Sequence, residues 1–225
     1  MHELSLRVTA QFETPFHIGS GVVGEGAAMR SLLKDPQGRP YLPGSALKGV
    51  LRHEAERIVR TVMEDKLVVC RAPRAETMCP QWPNFGKFCP VCRTFGAPAL
   101  PSPFHFGDLQ VRLDSKDAEI MQKTALRYGV GVSRYRGASA EQLLYTTETA
   151  VMAPFLALHG SIEGILSDDG FPGPLALLLA AVCSLRMVGH GRSRGLGWLT
   201  LSIEEPPLSA EKVKEELLKW LTSSN

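Results

Sequence analysis

From Leu4 to Phe12 (LSLRVTAQF) apolar and polar positions alternate, with Leu4, Leu6, Val8 and Ala10 on one side and Ser5, Arg7, Thr9 and Gln11 on the other. That is the period of a strand with one buried face. The glycine-rich run that follows, FHIGSGVVGEGAAM at 16–29, breaks the rhythm and predicts a loop over much of its length. From Ser45 to Lys66 the period becomes helical, with Leu47, Val50, Leu51, Ile58, Val62 and Met63 on one broad face. Pro43-Gly44-Ser45 predicts its start, with Ser45 as the N-cap. Residues 67–103 hold four cysteines and seven prolines with little periodicity, so something other than an apolar core must order them.

Beyond that segment, Phe104–Leu113 and Ala153–Ile165 read as strands, and the glycine-containing polar text from Lys123 to Thr149 as a projecting hairpin. Pro174–Met187 reads as a second core helix, Trp198–Glu204 as a closing strand, and Ser209–Leu221 as an amphipathic terminal helix with Val213, Leu217, Trp220 and Leu221 on its face. With the insertions set aside, the order is strand, helix, two strands, helix, strand. It predicts an α+β chain of the ferredoxin-like βαββαβ type, an antiparallel sheet with helices on one side. We read residues 1–225 as one domain with two insertions, at 67–103 and about 114–150.

Composition narrows the function classes. A hydrophobic share of 44% with 21% charged residues suits a globular core, and a net charge of +2 leaves any nucleic-acid footprint to local clusters of Lys and Arg. The most apolar run, Pro174–Cys183, is about half the length that spans a bilayer, so it predicts a buried helix. The start of the chain lacks a signal-like apolar segment. The expectation is a cytoplasmic protein with no membrane partner.

Four of the five cysteines fall at Cys70, Cys79, Cys89 and Cys92, spaced C-x8-C-x9-C-x2-C, unlike a disulfide framework spread through a small secreted domain. The closing CPVC places two thiols on one turn, and four thiolates would close a structural, tetrahedral zinc site; reduced buried cysteines are the alternative. Cys183, among apolar residues, reads as a core residue.

Two further stretches, YLPGSALKGVLR at 41–52 and GHGRSRGLGW at 189–198, combine glycine with cations. Lys48 and Arg52 lie one helical turn apart just after a helix start, where free N–H groups attract anions and Gly44 lets a phosphate approach. The bland alternative is a helix-start signal followed by solvated cations. In the second stretch, a loop with Gly189, Gly191, Gly195 and Gly197 can turn several N–H groups toward one anion while Arg192 and Arg194 grip phosphate oxygens; the alternative is a tight turn. The spacing is not that of an NTP-binding loop. For catalysis the sequence offers less: His17 and His190 sit in glycine-rich loops and could serve as general base and acid at a phosphodiester, with Glu25 a further weak candidate. Asp35 in KDPQGRPY reads as a turn residue.

HIGSG at 17–21, KDPQGRPYLPGSALKGVLR at 34–52 and GHGRSRGLGW at 189–198, in that order, resemble the RAMP superfamily of CRISPR-associated proteins, and more closely the repeated backbone subunit of type III effector complexes. The text GVSRYRGASAEQLLYTTETAVMAP at 131–154 is similar to another stretch of that family. The resemblance implies a ferredoxin-like (RRM-like) palm that binds guide RNA (crRNA) through its sugar-phosphate backbone. It implies a thumb at 123–149 that wedges into the duplex of guide and target RNA, other CRISPR effector subunits as partners, and filament-like self-association. Residue by residue, it implies Gly44, Ser45 and Lys48 at the RNA with Arg52 beside them, and Gly191, Arg192, Ser193 and Arg194 at the RNA or in its support. Related subunits also carry zinc-binding insertions.

One departure bears on activity. Subunits of this family that cut target RNA carry an Asp in the first loop, about six residues before the position of Asp35; here AAMRSLLKD has Met29 there. A thioether neither ionises nor holds a hard cation through oxygen. The expectation is a noncutting RNA-binding subunit. Two alternatives stay open: an endoribonuclease of the same superfamily that uses His17 or His190, and a zinc-stapled protein-interaction module.

Overall fold

The computed structural model describes residues 2–23, 29–63, 69–71, 74–80, 87–112, 124–150, 157–166, 172–204 and 208–223. In chain order the first elements are β1 (His2–Phe12), β2 (Gly19–Val23), β3 (Arg30–Leu32), α1 (Gly44–Met63), α2 (Pro90–Phe95) and β4 (Phe104–Phe106). Then come β5 (Thr124–Val132), β6 (Ser139–Ala150), β7 (Ala157–Leu166), α3 (Pro172–Ser184), β8 (Leu199–Glu204) and α4 (Ala210–Ser223). The described residues form a mixed α+β structure with two four-stranded sheets.

The main sheet has the order β4-β7-β1-β8 and is antiparallel at every seam. Alternation along β1 sends Leu6, Val8, Ala10 and Phe12 into the core. α1 lays Leu47, Leu51, Ala55, Val59 and Met63, each four residues from the next, into the same core. α3 is apolar nearly all round because it is enclosed, packing on α1, α2, α4 and β8. Along the chain, β1, α1, β4, β7, α3 and β8 follow the predicted strand, helix, two strands, helix, strand order. No helix among the described residues is long and apolar enough to cross a membrane.

The second sheet, β2-β3-β6-β5, holds the predicted hairpin and adds to it. β5 and β6 pair antiparallel and turn over residues 133–138, where Gly137 has φ 62°. β6 also takes β3 alongside, parallel at Arg30 and Thr147, and β3 pairs antiparallel with β2. The glycine-rich run 16–29 is therefore not a loop throughout: Gly19–Val23 is a strand because its backbone groups find partners on β3.

Three further expectations are corrected. Ser45 is not the N-cap. The helix starts at Gly44, whose N–H donates to Asp108 Oδ1 at 2.8 Å, so a carboxylate from beyond β4 caps the helix. The strand expected over Phe104–Leu113 is regular only over Phe104–Phe106, after which isolated bridges tie Leu109 to Leu42 and Gln110 to His159. Cys183 is exposed, on the side of α3 away from the core.

Gly44 carries a packing constraint legible only in three dimensions. It is buried, and a Cβ there would overlap the Phe106 carbonyl. Gly44→Ala is expected to destabilise the fold by about 3 kcal/mol, because the obstacle is backbone and cannot swing aside. Denaturant unfolding with an unchanged slope and a lowered midpoint would show it.

Candidate metal centre and nucleic-acid interface

The four cysteines of the 67–103 segment converge. Cys89 is the N-cap of α2 and Pro90 its first helical residue, so CPVC is the opening turn of the helix, with Cys92 three residues on. Cys70 and Cys79 flank the short 3-10 helix Ala75–Thr77 and close on that turn. All four residues are buried and their sulfurs lie within 4.8 Å of one another, with Cys70 Sγ 3.3 Å from Cys92 Sγ and 3.8 Å from Cys89 Sγ. A tetrahedral zinc with Zn–S bonds of about 2.3 Å needs sulfurs about 3.8 Å apart. The donor set fits such an ion.

The electrostatics point the same way. Hydrogen bonds from Cys89 and then Cys92 hold the Cys70 thiol well below the usual range, whereas Cys70 pushes the Cys89 and Cys92 thiols up. By themselves the sulfurs resist ionising together, since like charges at this spacing repel. A divalent cation supplies the missing countercharge and deprotonates coordinating thiols. Cys70, Cys79, Cys89 and Cys92 would hold it and leave no open position.

The second constellation lies where the glycine-rich loop 189–197 meets the smaller sheet. The loop is fastened by backbone: His190 N–H donates to the His17 carbonyl and Gly197 N–H to the Pro15 carbonyl, each at 2.9 Å. Gly189, with φ 86°, leaves no space for a Cβ beside the His17 carbonyl. The short 3-10 helix Arg192–Arg194, between left-handed Gly191 and Gly195, then presents exposed Arg192, Ser193 and Arg194.

The loop also brings His17 and His190 together, with ring centroids 5.9 Å apart and edge to face. His17 is buried and its Nδ1–H donates to the Glu148 carbonyl at 2.6 Å. His190 is exposed, and its Nε2 accepts from Arg30 Nη1 at 2.5 Å and Arg194 Nη2 at 3.1 Å. Guanidinium groups only donate, so Nε2 carries no proton and the ring is neutral. Partial burial, then Arg30, Arg194 and His17, lower its pKa accordingly. Arg194 Nη1 also donates to the Tyr145 hydroxyl, and both guanidinium carbons lie 5.2 Å from the Tyr145 ring centroid. Among the described residues neither Arg30 nor Arg194 has a carboxylate partner. Two cations share a surface with an aromatic ring, beside a small cavity of about 130 Å³ lined by Arg127, Tyr145, His190 and Arg194.

Arg30, Tyr145 and Glu148 escaped the sequence reading. Arg30 follows Met29 in the first loop and Tyr145 lies in a polar stretch of the hairpin, and neither position carries a local motif. Glu148 organises the sheet under the site: its carboxylate accepts from Leu32 N–H at 3.0 Å, Lys34 Nζ at 2.6 Å and Thr124 Oγ1 at 2.7 Å. Burial alone would raise its pKa, but the bonds from Lys34, Thr124 and Leu32 outweigh burial and hold it below the usual range of a glutamate. A depressed carboxylate pKa contributes stability fully above its unfolded value, and that stability is lost as pH falls through the folded value. Glu148→Gln should therefore cost about 2 kcal/mol at neutral pH and flatten the acid limb of the stability profile below about pH 4.5.

The first cationic stretch divides. Ser45 is exposed at the start of α1, and Gly44 is spent on packing and its cap. Lys48 is half-buried with its ammonium 5.9 Å from the Phe106 ring centroid, and it lines a groove of about 800 Å³ with Glu3, His105 and Glu163. Burial, then Arg52, lowers its pKa. Arg52 turns away to the cysteine cluster, donating to Cys92 Sγ at 3.4 Å and to the Gly96 carbonyl at 2.8 Å. Asp35 is the turn residue expected: its carboxylate accepts from the Gln37 and Arg39 N–H groups and pairs with the Arg39 guanidinium at 2.7 Å. Met29 is 53% exposed, with its N–H on Thr146 Oγ1 at 2.9 Å; Glu25 lies outside the described residues.

No curated protein matches the chain. Residues 9–200 match the sequence model of the RAMP superfamily, a span that runs from β1 through the glycine-rich loop into β8 and takes in both constellations. The chain thus belongs to the RAMP superfamily of CRISPR-associated proteins.

Proposed function

We propose that the protein is an architectural, guide-RNA-binding subunit of a type III CRISPR effector complex, without target-RNA cleavage at its own first loop. The observation that carries the proposal is the pair Arg30 and Arg194. They converge on a neutral His190 and the Tyr145 ring with no described carboxylate to neutralise them. Guanidinium groups without a described carboxylate partner, beside a half-buried aromatic ring, suit phosphodiester oxygens and a stacked base. Arg192, Ser193 and the Gly191 backbone extend that surface, and Lys48 with Ser45 and Gly44 form a second contact region on α1.

Several features support the finer assignment. The sheet order β4-β7-β1-β8 with α1 and α3 suits a ferredoxin-like palm. The β5–β6 hairpin, with exposed Tyr128, Val130, Val132, Tyr135 and Leu144, suits a thumb that inserts between stacked bases or against a neighbouring subunit. The cysteine cluster is read as a structural zinc site that orders the 67–103 insertion. Met29, exposed and carrying a thioether, offers no oxygen to a metal ion or a water nucleophile.

The proximity of His17 and His190 keeps one competing reading in view, a metal-independent endoribonuclease. Burial of His17 works against it, because a general acid or base must reach the reacting proton. Incubation of labelled guide RNA in EDTA decides: intact RNA is expected, whereas cleavage that disappears in His190→Ala would install the nuclease reading.

A further inference from the structure

Arg52 stands on the same face of α1 as Lys48, yet its guanidinium reaches the cysteines. Nη2 donates to Cys92 Sγ at 3.4 Å and Nη1 to the Gly96 carbonyl at 2.8 Å. Cys92 lies in the first turn of α2 and Gly96 is its C-cap, so one side chain grips both ends of the short helix. Glu56, one turn on along α1, lies 3.5 Å from Arg52 Nε and steadies the guanidinium from behind. Gly96 itself, with φ 84° and Ser102 N where a Cβ would stand, is locked in place.

The geometry points to Arg52 as an outer-sphere positioning residue of the four-cysteine centre, which fixes the Cys92 sulfur from α1; the inference rests on the metal reading above. Four thiolates around a divalent ion carry a formal excess of about two negative charges, and a hydrogen-bonded cation at the sulfur offsets part of it. A planar fork suits the site, because it holds two acceptors in different directions, a sulfur and a carbonyl, from one pre-organised group. Lys48, one turn earlier, lies against the Phe106 ring and makes neither bond. Arg52 thereby joins the segment of α1 that carries Lys48 to the four-cysteine centre by hydrogen bonds.

The test uses the full-length protein loaded with zinc or with cobalt(II), comparing wild type, Arg52→Lys, Arg52→Ala and Arg57→Ala. Arg57 lies on the same helix but pairs with Glu54 at the surface, and so serves as the control. Arg52→Ala is expected to weaken zinc retention against a competing chelator by roughly 10- to 100-fold. It should also move the thiolate-to-cobalt charge-transfer band to lower energy, because the sulfur loses an N–H donor and becomes a richer donor to the metal. Arg52→Lys should recover part of the band position, and Arg57→Ala should match wild type. Should Arg52→Ala fail to fold, Arg52→Lys is read by the same two criteria. Wild-type retention and an unshifted band in folded Arg52 variants would overturn the role of Arg52 and leave the metal centre standing. Failure of the wild type to give a four-thiolate cobalt spectrum would remove the centre and this inference with it.

Discussion

Stripping zinc from the proposed four-cysteine site under reducing conditions, or replacing Cys92 by serine, is expected to lower the thermal midpoint by roughly 10–20 °C. The argument runs from the composition of the segment to its packing. Residues 67–103 hold seven prolines and little apolar periodicity, and among the described residues the four cysteines tie Cys70 and Cys79 to the short helix α2, with Val69, Val91 and Phe95 reaching the core. α2 in turn packs on α1 and α3, and Arg93 at its end lies 5.0 Å from the ring centroid of Trp220 on α4. Structural zinc contributes folding free energy outright. If about 5 kcal/mol of that is felt by the domain, a chain of this size loses about 2–4 °C per kcal/mol. Calorimetry with and without chelator, with zinc content measured in parallel, checks the prediction; an unchanged midpoint in a fully apo sample would mean that the thiols are simply buried. Cys183→Ser, at an exposed position outside the cluster, should leave the midpoint alone.

The second large effect concerns RNA. Replacing Arg30 and Arg194 together by alanine should weaken guide-RNA binding by roughly 30- to 700-fold, taking about 1–2 kcal/mol for each charge-assisted phosphate contact. The variant should also flatten the salt dependence by about 1–1.5 in log–log slope, since fewer counterions are released on binding. Tyr145→Leu should weaken binding while leaving that slope in place, because stacking displaces no counterions. Arg52→Ala should not change the slope directly, its guanidinium being committed to Cys92 and Gly96. Lys48→Ala should, because its ammonium has no described carboxylate partner. The two cations read as equals in KGVLR part company in the structure, Arg52 at Cys92 and Lys48 at the Phe106 ring, and should do so in a binding isotherm.

That parting shows how far the sequence was legible. Period-2 alternation in Leu4–Phe12 and the four-residue stripe of α1 are local patterns tied to burial, so the strand, the helix and the order of these elements along the chain could be anticipated. The cysteine spacing carried the four-cysteine cluster because CPVC closes a turn whatever surrounds it. What stayed hidden depended on partners distant in the chain. Gly19–Val23 becomes a strand only because β3 lies beside it. That a Cβ at Gly44 would overlap the Phe106 carbonyl is a constraint set by a residue far along the chain. Arg30 and Tyr145 acquire meaning only when the loop at Arg194 meets β3 and β6, and a lone Arg or Tyr in an alternating stretch gives no local hint of that. His17 and His190 were singled out from their glycine-rich settings, but burial, which separates a structural histidine from an exposed one, is not written in the sequence.

The most direct test is the affinity of the purified, zinc-loaded protein for a labelled single-stranded guide RNA across a series of salt concentrations in Mg²⁺, with the RNA recovered and sized afterwards. With Arg30, Lys48, Arg192 and Arg194 as phosphate contacts, log affinity should fall against log salt with a slope of about −3, and the RNA should come back intact. Absent or salt-independent binding would contradict the RNA-binding assignment, and shortened RNA would contradict the noncutting role assigned through Met29.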